Sequence, residues 1–192
     1  METNRPVIIY ISAASDLMAE REALARMIAT LPVTLAWQVV QSPLGEEVLN
    51  QTALAASDLH FLLMGGDIRA PIGLEWHTIR RYERPSVAFL KQNLPRTPAG
   101  QIFIRQAGVN WRFFANPADL SRQAQQVLTG NLIRNAITYA LTPGEVEQLE
   151  ALQESGVNTE AEQPPQGQEA GRSAVILSRE RYTPSEGTIV DE

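Results

Sequence analysis

Two rhythms of apolar positions alternate along the first 141 residues. Pro6-Val7-Ile8-Ile9-Tyr10-Ile11-Ser12 is nearly continuous and β-branched, which predicts a strand covered on both faces, as in a parallel sheet. Ser12-Ala13-Ala14-Ser15 is a small polar turn. Ser15 or Asp16 is placed to cap the helix that follows, and Glu20 and Glu22 favour its positive end. Leu17, Leu24, Met27 and Ile28 mark one face of that helix, which Pro32 stops. Val33–Gln41 alternates through Val33, Leu35, Trp37 and Val39 as a second strand.

After a turn at Ser42-Pro43-Leu44-Gly45, Glu46–Ser57 reads as a helix with Val48, Leu49, Thr52, Ala53 and Ala56 inward. Asp58–Met64 is a third strand, broken by Gly65-Gly66-Asp67, and a loop runs on through Pro71. Ile72, Trp76, Ile79 and Tyr82 return at helical spacing until Pro85, and Ser86–Leu90 is a fourth strand. Residues 92–110 are rich in Pro and Gly, with a short strand expected at Ile102–Ile104. A fifth strand is expected at Val109–Phe114. Pro117–Leu141 reads as a long helix striped by Leu120, Ala124, Val127, Leu128, Ile133 and Ile137, with Gly130 its weak point. Thr142-Pro143-Gly144-Glu145 has the spacing of a capping box and opens a short helix to about Glu154.

Strand and helix in alternation predict an α/β fold: a flavodoxin-like three-layer sandwich around a parallel sheet of about five strands. Ligands of such folds sit beyond the carboxyl ends of the strands, where strand order reverses. The loops to watch are then Ser12–Asp16, Ser42–Glu46, Gly65–Gly73 and Lys91–Asn93. Residues 1–141 form the domain and 142–154 a C-terminal helix. Residues 155–173, Gln/Glu/Gly/Pro-rich and nearly without large apolar side chains, read as a disordered linker. Residues 174–192 carry the isolated apolar run Ala174-Val175-Ile176-Leu177. They are an unstructured tail, a segment that folds back, or a partner-binding segment through 174–190 that adds a strand to a sheet edge.

Composition narrows the chemistry. The chain has no cysteine, so disulfides, thiolate metal sites and cysteine nucleophiles are out. With only His60 and His77, no metal site is expected. The net charge of −6 sits mostly in the tail: residues 1–154 carry 13 basic and 15 acidic side chains, residues 155–192 carry 3 and 7. That balance argues against nucleic acid as a partner. Without an apolar run long enough to span a bilayer or a secretory leader, a cytoplasmic protein is expected. Fifteen of the sixteen basic residues are arginine and Lys91 is the lone lysine, so an anion here meets a planar guanidinium fork.

Neither a P-loop nor a dinucleotide fingerprint is present. Gly65-Gly66-Asp67 is either a tight turn or a place where a ligand nears the backbone. Glu75, expected in the first turn of the helix after strand three, lies beside the crevice. It either complements the helix terminus or acts as nucleophile or stabiliser of an oxocarbenium-like sugar cation. Arg69 on the crevice loop is placed to meet a phosphate, while Arg80, Arg81 and Arg84 form a solvated helix face. His77 reads as structural or surface, Asp16 as a cap, and Arg21 as a helix-surface residue paired with Glu20 or Glu22.

Val7-Ile-Ile-Tyr-Ile-Ser-Ala-Ala-Ser-Asp16-Leu-Met-Ala-Glu20-Arg21-Glu-Ala resembles the opening of the DUF4062 domain: a hydrophobic strand, a Ser/Thr-rich turn, then Asp-Leu and Glu-Arg. Ala56-Ser57-Asp58-Leu-His-Phe-Leu-Leu-Met-Gly65 resembles its third strand. Gly73-Leu-Glu75-Trp and Arg84-Pro85-Ser-Val-Ala-Phe resemble its glutamate–aromatic helix running into strand four. The likeness covers residues 6–91 and more loosely those to 141. Ala13 and Ala14 stand where the family tends to have Ser and Thr, and no Gly-Thr precedes the glutamate as in the related nucleoside deoxyribosyltransferases.

The resemblance implies a TIR-like fold in which a glutamate handles an N-glycosidic bond. Glu75 would be that catalytic acid, with Ser12, Asp67 and Arg69 binding the ligand. It implies no cofactor, NAD serving as substrate if as anything. It implies a signalling or effector module of a bacterial conflict or regulatory system, with a protein partner and self-assembly into homo-oligomers. A non-catalytic adaptor and a deoxyribosyltransferase-like enzyme are the alternatives.

Overall fold

A computed structural model describes residues 5–43 and 48–161. The chain divides into a unit Met1–Glu162 and a second, Gln163–Glu192, which lies outside the described residues together with the expected tail segment and most of the expected linker.

Five strands form one all-parallel sheet in the order β2-β1-β3-β4-β5: β1 Val7–Ser12, β2 Trp37–Gln41, β3 Leu59–Met64, β4 Ser86–Lys91 and β5 Trp111–Phe114. The helices between them are α1 Met18–Ala29, α2 Gln51–Ala56, α3 Ala70–Arg81, α4 Pro98–Gln106 and α5 Pro117–Arg134, with α6 Pro143–Ala161 closing the described chain. The fold is α/β and flavodoxin-like. Strand period two divides each strand between two cores. Ile9, Ile11, Phe61, Leu63 and Phe89 face α1 and α5, whose Leu24, Ile28, Leu120 and Leu128 are buried against them. Tyr10, Leu62 and Ala88 face the opposite side with Leu54 of α2 and Ile72, Trp76 and Ile79 of α3. β3, flanked by β1 and β4, is buried at every position, which is why it reads as an unbroken apolar run.

Several elements differ from their expected form. Ile102–Ile104 belongs to α4, not to a strand: Thr97 caps the helix through Gly100 N–H at 3.1 Å and Pro98 opens it. Ile102 is 52% exposed while Phe103 packs with Trp111. α2 begins only at Gln51, capped by Asn50, whose side chain accepts from Ala53 N–H at 2.9 Å; Val48 and Thr52, expected inward, face solvent. Glu46 and Glu47 of that expected helix, with Leu44 and Gly45 of the turn before it, lie outside the described residues. β2 starts at Trp37 instead of Val33, because the chain turns through 31–33 first. α5 ends at Arg134, and Ile137, placed in its apolar stripe, is 97% exposed.

The capping box at Thr142 forms as expected. Glu145 Oε2 accepts Thr142 N–H at 2.8 Å, and Oε1 accepts Thr34 N–H at 2.6 Å. These backbone donors hold the carboxyl down to about 2. The helix then runs to Ala161, past the expected end at Glu154.

α5 runs unbroken through Gly130. A methyl there would meet only the end of the Gln153 side chain, at 2.8 Å. Gly130→Ala should therefore raise stability by about 0.5–1 kcal/mol through helix propensity once that amide swings aside. Chemical denaturation of the two proteins checks it.

Candidate functional site

Strand order reverses at β1, which is followed in sequence by its neighbour on one side, β2, and then by its neighbour on the other, β3. The beginning of α1 ties down the carboxyl ends of the strands around this point. Asp16, in a 3-10 turn Ser15–Leu17, accepts Gly66 N–H after β3 at 3.0 Å. It is not the expected cap; neither it nor Ser15 makes a capping bond, Ala14 standing at the cap position of the 3-10 turn and Leu17 at that of α1. Glu20, 2% exposed, forms an ion pair with Lys91 at the end of β4, Oε1 to Nζ 2.8 Å. Arg21 is buried too, which corrects its expected place on the surface. Its Nη2 donates to the Ser42 carbonyl at 2.6 Å and its Nε to Gln41 Oε1 at 3.0 Å, at the end of β2. A guanidinium fork can serve a carbonyl and an amide oxygen at once, which a lysine could not do with the same fixed geometry.

A cavity of about 230 Å³ opens at the switch point. Ala13, Ala14 and Ser15 wall it from the loop after β1, and Ser42 and Pro43 from the end of β2. The start of α3 supplies Arg69, Pro71 and Ile72. Among the described residues, Arg69 is the only charged side chain in these walls; it is exposed and donates to Ser15 Oγ at 3.2 Å.

Glu75 lies behind one wall. It is in the second turn of α3, not the first, since the helix begins at Ala70. Its exposure is 0%, and it does not itself line the cavity. Tyr10 Oη donates to Oε1 at 2.8 Å and Ser42 Oγ donates to Oε2 at 2.7 Å. Ser42 Oγ also accepts Ala13 N–H at 3.1 Å. The carboxylate thus has one fixed hydroxyl per oxygen, and one of those hydroxyls belongs to a cavity wall. Burial, followed by the charge of Glu75 and the bond to it, raises the Tyr10 phenol, with the Arg21 charge opposing. Tyr10 therefore stays protonated and keeps donating.

Ser12 and Asp67, expected among the ligand-binding residues, do not line the cavity. Ser12 is fully buried with its Oγ 2.8 Å from His60 Nε2, and His60 Nδ1 lies 2.8 Å from Ser86 Oγ. Asp67 accepts from the Thr97 hydroxyl and from Ile68 N–H at 2.8 Å, which stitches the loop after β3 to the start of α4. Gly65 and Gly66 serve the same packing: a methyl on Gly65 would overlap the Asp16 carboxylate. Of the four expected residues the structure brings Arg69 to the cavity and Glu75 to its back wall. His77, away from both, is exposed.

Tyr10, Arg21 and Ser42 are the site residues that pattern reading passed over. A phenol inside a doubly covered strand was the available signal, since a buried Tyr hydroxyl needs a partner. Among the described residues no group of three or more His, Asp or Glu could hold a metal ion, and no helix is long and apolar enough to cross a membrane. No protein-family model matches the chain, and no curated protein is significantly similar to it.

Proposed function

We propose that the protein is a TIR-like module that recognises a nucleotide of the NAD kind in the switch-point crevice, with Glu75 attending the N-glycosidic bond. The observation that carries this reading is the double role of Ser42, which walls the cavity and donates to Glu75 at 2.7 Å. One hydroxyl separates the cavity from a buried carboxylate whose orientation Tyr10 fixes at 2.8 Å. A ligand hydroxyl that displaces Ser42 Oγ would put that negative charge against the ligand in a water-poor setting, where it stabilises a developing sugar cation strongly. The likeness to DUF4062 at Asp16, Glu20, Arg21 and Glu75 supports the same reading. So does its implied setting, a signalling or effector role exercised with protein partners or with copies of the chain.

The test is to incubate the full chain with NAD and with deoxynucleosides, alone and under induced oligomerisation, and to measure released base. Glu75→Gln should reduce release by about 10²–10⁴-fold, the usual worth of a positioned acid–base group. Gln keeps an oxygen for Tyr10 and nearly the same volume, so the fold should survive, which circular dichroism checks.

One observation favours a second reading, a non-catalytic adaptor: Glu75 has no exposed surface and both its oxygens are already engaged. Binding without base release in every assembly state would establish it.

A further inference from the structure

We infer that the crevice recognises its ligand by a phosphate-bearing sugar end and is indifferent to the base. This rests on the reading that the crevice takes a nucleotide. Among the described residues that wall it, Arg69 is the one charged side chain and the others are short or apolar. No ion pair among the described residues involves Arg69; its described partner is the neutral Ser15 hydroxyl at 3.2 Å. Neither Asp16 nor Asp67, on the loops after β1 and β3, forms an ion pair with it. Asp16 accepts Gly66 N–H, and Asp67 accepts from the Thr97 hydroxyl and Ile68 N–H. The crevice thus offers an anion a guanidinium outside any described ion pair, and a guanidinium fork fits phosphate oxygens two at a time.

Size supplies the other half of the argument. The volume of about 230 Å³ is below the roughly 300–1,000 Å³ of sites that enclose a drug-sized ligand. A sugar and one phosphate fit; a base in addition does not. Ala13 and Ala14 carry no polar side-chain atom with which to read base edges. With Glu75 behind Ser42 and Arg69 at the mouth, the sugar lies inward and the phosphate outward.

Titration of the full chain with adenosine 5′-monophosphate, uridine 5′-monophosphate, ribose 5-phosphate and adenosine decides the matter. The three phosphorylated probes should bind within a few-fold of one another, and adenosine roughly 10- to 100-fold more weakly, the worth of a charge-assisted bond. Arg69→Gln should weaken the phosphorylated probes by a similar factor and leave adenosine unchanged. Raising salt should weaken the same three.

Adenosine binding as tightly as its monophosphate, more than tenfold preference between the two bases, or an Arg69→Gln variant with unaltered affinities would overturn the inference while leaving a nucleotide site in place. Failure of all four probes to bind would remove the proposed function along with it. Arg69 is exposed and makes one described hydrogen bond, so its replacement leaves the fold intact.

Discussion

Lys91→Met should cost about 3 kcal/mol of unfolding free energy, although it alters a partly exposed side chain at the end of a strand. The loss arises at its partner. Glu20 Oε1 is 2.8 Å from the Lys91 ammonium and has no hydrogen-bond partner to replace it, and Glu20 is 2% exposed. Methionine fills the volume of the lysine stem and strips the charge, leaving Oε1 of an interior carboxylate without its counter-charge. Breaking a buried pair in this way typically costs about 3–5 kcal/mol; the lower figure applies because the Lys91 side chain is 26% exposed and partly screened by water. The double variant Lys91→Met/Glu20→Leu should recover most of the loss, since a well-packed apolar pair is close to neutral relative to the ion pair. Urea titration of the wild type, both single variants and the double gives the coupling energy directly. Additive losses would show that the two side chains do not depend on one another, and that some other group compensates Glu20.

That ion pair also shows what kind of information the sequence holds. The strands were legible because a sheet covered on both faces demands apolar side chains at nearly every position of β1 and β3, and the alternation with helices then leaves few topologies. The location of the crevice followed, because strand order has to reverse somewhere and ligand loops gather there. Charged residues were another matter. Asp16, Glu20 and Arg21 occur at intervals that fit an exposed helix start, and nothing in a one-dimensional pattern says that the ends of β3, β4 and β2 arrive beside them. The burial of Glu20 and Arg21, and the bond of the exposed Asp16 to Gly66, come from three long-range pairings invisible to local periodicity. The structure gives these residues a physical office: each secures one strand end around the switch point. Glu75 was legible as an acid beside the crevice, but its partners were not, since Tyr10 is hidden in an apolar run and Ser42 looks like an ordinary turn residue. α4 was missed for a local reason. Ile102, Phe103 and Ile104 have strand-like composition, yet Thr97 and Pro98 just before them are a helix start, and of the three Ile102 is 52% exposed.

Acidification from pH 7 to pH 5 should lower stability by about 2 kcal/mol, and His60 should account for nearly all of it. The imidazole is fully enclosed in β3, its ring nitrogens 2.8 Å from the hydroxyls of Ser12 and Ser86, with the rings of Tyr10 and Trp76 on either side. Two hydroxyls satisfy a neutral ring, one as donor and one as acceptor, so no bond requires the charged form. Burial penalises the cation and holds the group down to about 3, against 6.5 for a free histidine. Below pH 6.5 the unfolded chain takes up a proton that the folded chain refuses. Stability is therefore complete above that value and falls as pH drops toward 3, by about 1.4 kcal/mol per unit in the middle of the window. The interval from 7 to 5 isolates the effect, because the Glu145 carboxyl, held down to about 2, contributes its own loss only below its unfolded value of 4.5. His60→Gln keeps a donor and an acceptor for the two serines and removes the titration. It should be less stable than the wild type at pH 7 and nearly flat between pH 7 and 5. A wild-type curve equally flat in that range would mean that His60 accepts its proton in the folded state, so that the pocket between Tyr10 and Trp76 is wetter or more adaptable than its geometry implies.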